Sequence, residues 1–363
     1  MGDFERKLPT ETADIAAIVQ GILALQASYA REQKRPLARG THAKGICARA
    51  EFEVFDLFKT VRDRALAARL ARGLFAKPGI YPATVRFANA ESHVFADGKP
   101  DVRAMSFSVQ VPPEVLGPTA TRQDYSMNNA TTFPINDAHE FAVLVRVVAA
   151  PNPRKGFWSL PFRDKLRFAR MVVLGALQKR HSVRPFQQMR YWSTTPFRHG
   201  ADDAVKYSAI PSPANPGQAI ERDHPNCLQD ELLRHLNEDS QMSAFDFSLQ
   251  FLDTETMTHR GRRRPASFWI ENASVEWNET QAPFHVVGRL RLVPKSQCPA
   301  EVCEEMYIDV TEHSTADTAP LGSINRARWA AESESRKTRL GAFAKIASPG
   351  SARPTGKTDA TTP

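Results

Sequence analysis

The stretch Arg39-Gly-Thr-His42-Ala-Lys-Gly45 leads, through Ile46, into Cys47-Ala-Arg-Ala-Glu-Phe-Glu-Val-Phe55. It sets one histidine in a basic turn flanked by glycines. The residues that follow alternate. Ala48, Ala50, Phe52 and Val54 interleave with Arg49, Glu51 and Glu53. Period two marks a half-buried strand, because successive side chains point to opposite faces. A histidine at the mouth of a strand is ordinarily a structural residue, and one short motif says little alone. The segments around it decide whether this histidine does more.

Two further segments alternate in the same way: Ala83-Thr-Val-Arg-Phe-Ala88 and residues 102–111. The link between them is polar and contains Asp97-Gly98, a turn signal. Later, Phe245, Phe247, Leu249 and Phe251 alternate with Asp246, Ser248 and Gln250. Residues 284–292 repeat the pattern, and the region around Trp269 and Trp277 is a further strand candidate. Apolar residues at helical spacing predict helices over 11–33, 57–76, 163–180 and 324–339. Pro36 ends the first and Pro78-Gly79 the second. The helix over 163–180 is basic and amphipathic. Packing on the protein's own body is its ordinary explanation and a membrane surface the rarer one. Residues 191–216, rich in Pro and Ser, read as an extended crossing segment. Within residues 124–141, Asn128-Asn129 is a turn former; an amide held over a reactive site is the sharper reading.

These elements predict an α+β protein with an antiparallel barrel or strongly curved sheet and helices outside it. The expected division is an N-terminal helical arm over 1–36, a barrel domain over 37–347 carrying a C-terminal helix, and a tail over 348–363. The tail lacks aromatics and is expected to be disordered.

Composition narrows the function. The 363 residues contain no run of eighteen apolar residues, so no integral membrane span is expected. The first ten residues are charged and lack the apolar core of a secretory signal, which points to the cytoplasm. Four cysteines without a Cys-x-x-Cys pair read as reduced thiols. The net charge of +8 raises the question of nucleic acid. The densest basic run, His259-Arg-Gly-Arg-Arg-Arg264, has no interleaved aromatics for base stacking. It reads as a solvated loop or a docking patch for carboxylates, and no nucleic-acid partner is expected.

Taken together, the motifs resemble the catalase superfamily, and more closely its small bacterial catalase-related branch. Residues 39–45 resemble the family's distal-histidine segment, and Val85-Arg-Phe87 its Val-Arg-Phe-Ser strand. Asp101-Val-Arg103 resembles its Asp-Pro-Arg-Gly element. Asn128-Asn129, with Phe133 and Phe141 beyond, follows the spacing of its distal Asn-Asn loop. The resemblance implies a catalase-like antiparallel β-barrel with flanking helices. It also implies heme as cofactor, with His42 and Asn128 as the catalytic pair over one face. Arg39, Arg86 and Arg339 would hold the propionates, and Phe141 would stack on the macrocycle. The implied reaction is that of a heme-dependent peroxidase acting on peroxide or an organic hydroperoxide. A neutral imidazole can carry the proton between the two oxygens, while an amide steadies one of them without titrating.

The departures from the family pattern matter as much. The family's proximal helix carries Arg-x-x-x-Tyr, whose phenolate ligates iron. Here the run is Arg328-Trp-Ala-Ala-Glu332, with Arg339-Leu-Gly341 in the family's downstream spacing. Glu332 therefore stands at the metal-ligand position, with Arg328 beside the cofactor, and Ala88 replaces the family's serine. A carboxylate can ligate ferric iron as a hard anionic donor. Arg328 and Glu332, four apart on a helix, also make an ion pair that needs no heme. Two functions stay open: a heme enzyme with weak catalase turnover, and a heme-free catalase-fold protein whose pocket takes another small molecule. Homo-oligomerisation is open as well.

Overall fold

A computed structural model describes residues 4–32, 34, 39–117, 120–179, 183–239 and 242–347. The expected helix stop at Pro36 and the tail over 348–363 lie outside the described residues.

The chain opens with α1 (Glu11–Glu32) and β1 (Gly45–Val54). Two short helices, α2 (Leu57–Thr60) and α3 (Arg64–Leu70), lead to β2 (Gly79–Asn89), β3 (Arg103–Gln110), the one-turn α4 (Pro113–Leu116) and β4 (Arg122–Asn128). A helical excursion follows: α5 (Ala138–Val148), α6 (Pro153–Trp158) and α7 (Phe162–Gln178). Then come β5 (Tyr191–Trp192), β6 (Phe197–His199), β7 (Asp203–Pro211), α8 (Cys227–Glu238) and β8 (Ala244–Phe251). The chain continues through β9 (Thr258–His259), β10 (Arg262–Arg263), α9 (Ala266–Glu271), β11 (Phe284–Gln297), α10 (Ala300–Glu305) and α11 (Ser323–Ala347).

Eight strands close an antiparallel barrel in the order β1-β2-β3-β4-β5-β7-β8-β11, with β11 pairing back to β1. Closure leaves no exposed edge among them. The alternation read in β1 sorts its faces as expected. Ala48, Ala50, Phe52 and Val54 belong to the buried barrel core, while Arg49 and Glu51 are exposed. Aromatic rings fill that core. Phe107 stacks on Tyr125 at 4.8 Å, and Tyr125 meets Phe247 edge-on at 4.9 Å. Such pairs add about 0.5–1.5 kcal/mol each beyond burial. With the interior occupied by its own side chains, a site has to form outside the barrel.

Helices supply that outer layer. Ile18 and Ile22 of α1 cluster with Ala142 and Val145 of α5 and Ala327 and Ala331 of α11. The alanines let three helices approach closely. By length and composition α1 could cross a bilayer, yet here its apolar face is packed against α5 and α11.

Four sequence expectations change. Residues 57–76 are not one helix. Asp63 caps a new start by accepting from the backbone N–H of Ala65 (2.9 Å) and Leu66 (3.2 Å), and Gly73 takes φ +54°. The segment over 191–216 contains the barrel strand β7, whose Val205, Tyr207 and Ala209 face the core. Trp269 lies on a helix, α9, rather than a strand. Finally, Cys47 and Cys303 form a disulfide with a Cα–Cα distance of 5.4 Å. The expectation of reduced thiols holds only for Cys227 and Cys298. The bridge spans 256 residues of sequence, a non-local pairing that spacing motifs do not reveal.

Candidate functional site

Near one end, the outward faces of β1 to β4 carry several small residues. Strand register aligns Gly45, Ala88, Ala104 and Asn128 in one row, and Cys47, Arg86, Ser106 and Ser126 in the next. Gly45 has a specific reason to be glycine: a Cβ there would run into the Arg86 guanidinium and the Phe87 carbonyl. The result is a low floor with α11 above it. Arg328 of α11 spans the gap, donating through Nη2 to Ser126 Oγ at 3.2 Å.

His42 stands at the edge of this floor in a left-handed backbone conformation, φ +55°. Such a conformation costs a non-glycine residue about 1–3 kcal/mol and has to be held in place. Its backbone N–H donates to Ala90 O at 3.1 Å, and its carbonyl accepts from Arg86 Nη2 at 2.9 Å. The ring Nδ1 lies 3.2 Å from Asn89 O. A carbonyl oxygen only accepts, so Nδ1 carries the hydrogen and Nε2 is left as the base. Burial pushes the imidazole pKa down to about 3, and the charges of Arg86 and Arg328 push the same way. His42 is therefore neutral at ordinary pH.

A buried network behind Asn89 fixes this geometry. Asn89 Nδ2 donates to Asp97 Oδ1 at 3.0 Å, and its Oδ1 accepts from Arg103. Asp97 is fully buried and pairs with Lys44 at 2.8 Å. Asp97 Oδ2 also accepts from the backbone N–H of Leu228 at 3.1 Å, at the start of α8. Asp97 is thus more than a turn former. It ties the segment carrying His42 to α8, whose Leu228 lies 131 residues beyond Asp97. Sequence reasoning missed Lys44, Asn89 and Asp97 as supports, since their partners are distant in sequence.

Asn128, the last residue of β4, sits in the same row as Ala88 and Ala104. Its Oδ1 accepts from Ala130 N–H at 3.0 Å, which orients the amide. Its Nδ2 makes no hydrogen bond among the described residues. Asn129 turns the other way, accepting from Arg103 N–H at 2.8 Å.

Three arginines converge at one end. Arg86 and Arg339 are buried, and Arg39 lies beside them. Arg39 Nη2 donates to the carbonyls of Cys303 (3.0 Å), Glu304 (2.7 Å) and Met306 (2.8 Å), and Arg339 donates to Glu304 O. Burial, reinforced by Arg39, lowers the Arg86 pKa to about 9 and the Arg339 pKa to about 10, while Glu304 offsets part of this. Arg86 Nε is buried without a hydrogen-bond partner among the described residues. The Glu304 carboxylate lies 3.7 Å from Arg39 Nε and supplies part of the counter-charge. The Cys47–Cys303 disulfide joins the floor to α10, the element whose carbonyls hold Arg39 and Arg339.

Glu332 faces the same recess from α11. Arg328 Nε donates to its Oε1 at 3.2 Å. The Glu332 side chain keeps 39% of its surface accessible, yet burial raises its pKa above the usual carboxylate range. Phe141 of α5 packs at the junction of two apolar clusters, with Ile15 on one side and Phe133 and Phe168 on the other. Hydrogen bonds thus link His42 to Arg86 and Glu332 to Arg328, Arg328 reaches the outward strand face that ends in Asn128, and Arg39 and Arg339 lie near Arg86.

No family model matches the chain, and no curated protein matches it. Solved structures do. The chain is similar to a fungal catalase at 16% identity and a TM-score of 0.63, over 87% of this chain and 62% of that one. It is similar to catalase A from Saccharomyces cerevisiae at 18% identity and a TM-score of 0.61, over 86% and 63%. A bacterial catalase matches at 14% identity and a TM-score of 0.55, over 93% and 64%. At these identities the likeness establishes the fold, a catalase-like barrel with flanking helices. The chain spans less than two thirds of the length of each of these structures.

Proposed function

We propose that the crevice binds heme and that the protein transforms peroxide or an organic hydroperoxide, with weak catalase turnover. The observation that carries this reading is the convergence of Arg39, Arg86 and Arg339, with Arg86 Nε buried and unpartnered among the described residues. A planar ligand bearing two carboxylates answers that charge, and guanidinium forks suit carboxylates geometrically. The floor residues Gly45, Ala88, Ala104, Ser106 and Ser126 are small, and the large side chains over them are the guanidinium groups of Arg86 and Arg328. Glu332 offers an anionic oxygen, a hard donor suited to ferric iron. The residues therefore fit the group.

Bound heme would supply the redox-active iron that O–O cleavage needs. This chain's own residues handle the protons. Neutral His42 takes a proton at Nε2 from one peroxide oxygen and returns it to the other. Asn128 Nδ2 donates a hydrogen bond to the peroxide without titrating. Ala88 places no hydroxyl beside His42. A carboxylate shared with Arg328 donates less electron density than a phenolate, so catalase turnover suffers first. Membership of the small bacterial branch, a cytoplasmic location and a homo-oligomeric state belong to the same proposal. Against the location, the reduced thiols on which it partly rested do not describe Cys47 and Cys303.

A second reading has one observation in its favour. Arg328 bonds both Glu332 and Ser126, so the carboxylate is already occupied and the guanidinium lies across the floor. On that reading the crevice takes a different anionic small molecule and no heme.

Hemin titration of the purified chain separates the two. The heme reading expects a saturable Soret band at one equivalent, with affinity falling at least about tenfold in Arg86→Leu, a loss of one charge-assisted contact. A folded chain that shows only nonspecific hemin absorption, unaltered by Arg86→Leu, supports the second reading.

A further inference from the structure

Helix α7 presents its apolar side to solvent. Phe162 is 73% exposed, and Leu166, Val173 and Leu177 are exposed along the same line. Those positions fall at intervals of four, seven and four residues, which keeps them on one helical face. The opposite face holds Met171 and Asp164, both buried, so the helix is seated with its apolar stripe outward. Trp158, at the end of α6, is 70% exposed and continues the stripe, with Lys165 Nζ 5.2 Å from its ring. Ordinary amphipathic helices put this side inward.

Basic residues frame the stripe. Arg163 and Lys165 flank it within α7, and Arg154 and Lys155 extend the charge onto α6. Between residues 153 and 179 the acidic residue is Asp164 alone, and it is paired with Arg167 at 2.6 Å. We propose that the outward face of α6 and α7 docks on an anionic lipid bilayer surface. Apolar side chains would enter the headgroup boundary, Trp158 would sit at the interface, and the flanking cations would meet lipid phosphates.

Other occupants fit less well. A second copy of this face would bring one basic rim against another, and like charges across an interface oppose association. The tail over 348–363 contains no large apolar side chain with which to cover the stripe. The proposal does not depend on heme. Its location gives it a consequence for the site all the same. Gln178, at the end of α7, donates to Thr132 O at 2.9 Å, in the loop that leaves Asn128.

The test is vesicle flotation of the full chain. Vesicles of phosphatidylcholine with phosphatidylglycerol are compared with vesicles of phosphatidylcholine alone. The proposal expects flotation with the anionic vesicles only, weakened by raising salt from about 0.1 M to about 0.5 M. The double substitution Phe162→Glu and Val173→Glu should reduce partitioning at least about tenfold. Both positions are exposed, so circular dichroism of the variant should match the parent. The charge change Arg163→Glu and Lys165→Glu should reduce flotation as well. Absence of flotation by the parent, or equal flotation on neutral vesicles, would overturn the proposal. So would a parent dimer that the Phe162→Glu and Val173→Glu chain loses, in the absence of any lipid binding.

Discussion

His42 is held in an unfavourable backbone conformation by its neighbours, and its charge state is set by the same neighbours. This has two measurable consequences. Because its pKa lies near 3, the imidazole stays neutral as pH falls from 8 to 5. Hydroperoxide consumption by the reconstituted chain should therefore stay level over that range, rather than halving near the ordinary histidine value of about 6.5. A midpoint near 6.5 in the rate profile would contradict the neutral-base assignment. The second consequence concerns stability. The folded pKa is depressed, so the unfolded chain binds the proton more readily. The stabilising contribution is complete above about 6.5 and is lost as pH falls towards about 3. Thermal midpoints of the parent and His42→Asn chains, measured between pH 7 and about 4, should converge on acidification if this histidine is the cause.

Elements far apart in sequence hold the site together, and the supports can be cut one at a time. Asp97 pairs with Lys44 and receives the start of α8 in a fully buried setting. Removing one member leaves a buried charge alone, so Asp97→Ala should cost about 3–5 kcal/mol in a denaturant titration. A loss under about 1 kcal/mol would show that the pair does not bind these elements. The disulfide between β1 and α10 constrains a long loop. In the chain-entropy view Cys303→Ser should lower stability by about 2–5 kcal/mol. It should also loosen Arg39 and Arg339, which α10 carbonyls hold, and weaken hemin binding along with stability. Unchanged melting in the presence and absence of reductant would mean that the bridge does not form in solution. The pair on α11 contrasts with both. Arg328 and Glu332 are partly exposed, and breaking a pair of that kind costs only about 0.3–0.5 kcal/mol.

At the scale of the whole molecule, a packed aromatic core fills the barrel, and the candidate site lies on its outer wall. Much of that architecture was legible. Alternation in β1 and β8 follows from having one face on the aromatic core and the other outside, and it survives in sequence; in β11 a bulge between Val286 and Gly288 breaks it, leaving Val286 exposed and Val287 in the core. The strand β7 was hidden by the Pro and Ser residues around it, and α9 by Trp269, whose β propensity yields to its packing with Met257 and Leu321. The positions of His42, Asn128 and Arg86 could be ordered by family resemblance; register puts Arg86 and Asn128 on one outward face, and His42 lies just before β1. The supports could not be read in advance. Lys44 with Asp97, Cys47 with Cys303, and Arg39 with the α10 carbonyls are all tertiary pairings without a local pattern. The outward apolar face of α7 was visible only as a helix, because periodicity does not say which side faces the core.

The central claim is that Glu332 occupies the ligand position of a heme crevice between the barrel floor and α11. The most direct test is the absorption spectrum of hemin-reconstituted parent and Glu332→Tyr chains, recorded beside Glu332→Ala. The account predicts a defined Soret band in the parent and a loosened, altered band in Glu332→Ala with folding intact. It predicts a shift towards a tyrosinate-ligated ferric spectrum, with faster peroxide turnover, in Glu332→Tyr. Three folded chains with the same unliganded hemin spectrum would contradict it and leave the Arg328–Glu332 pair as a structural contact alone.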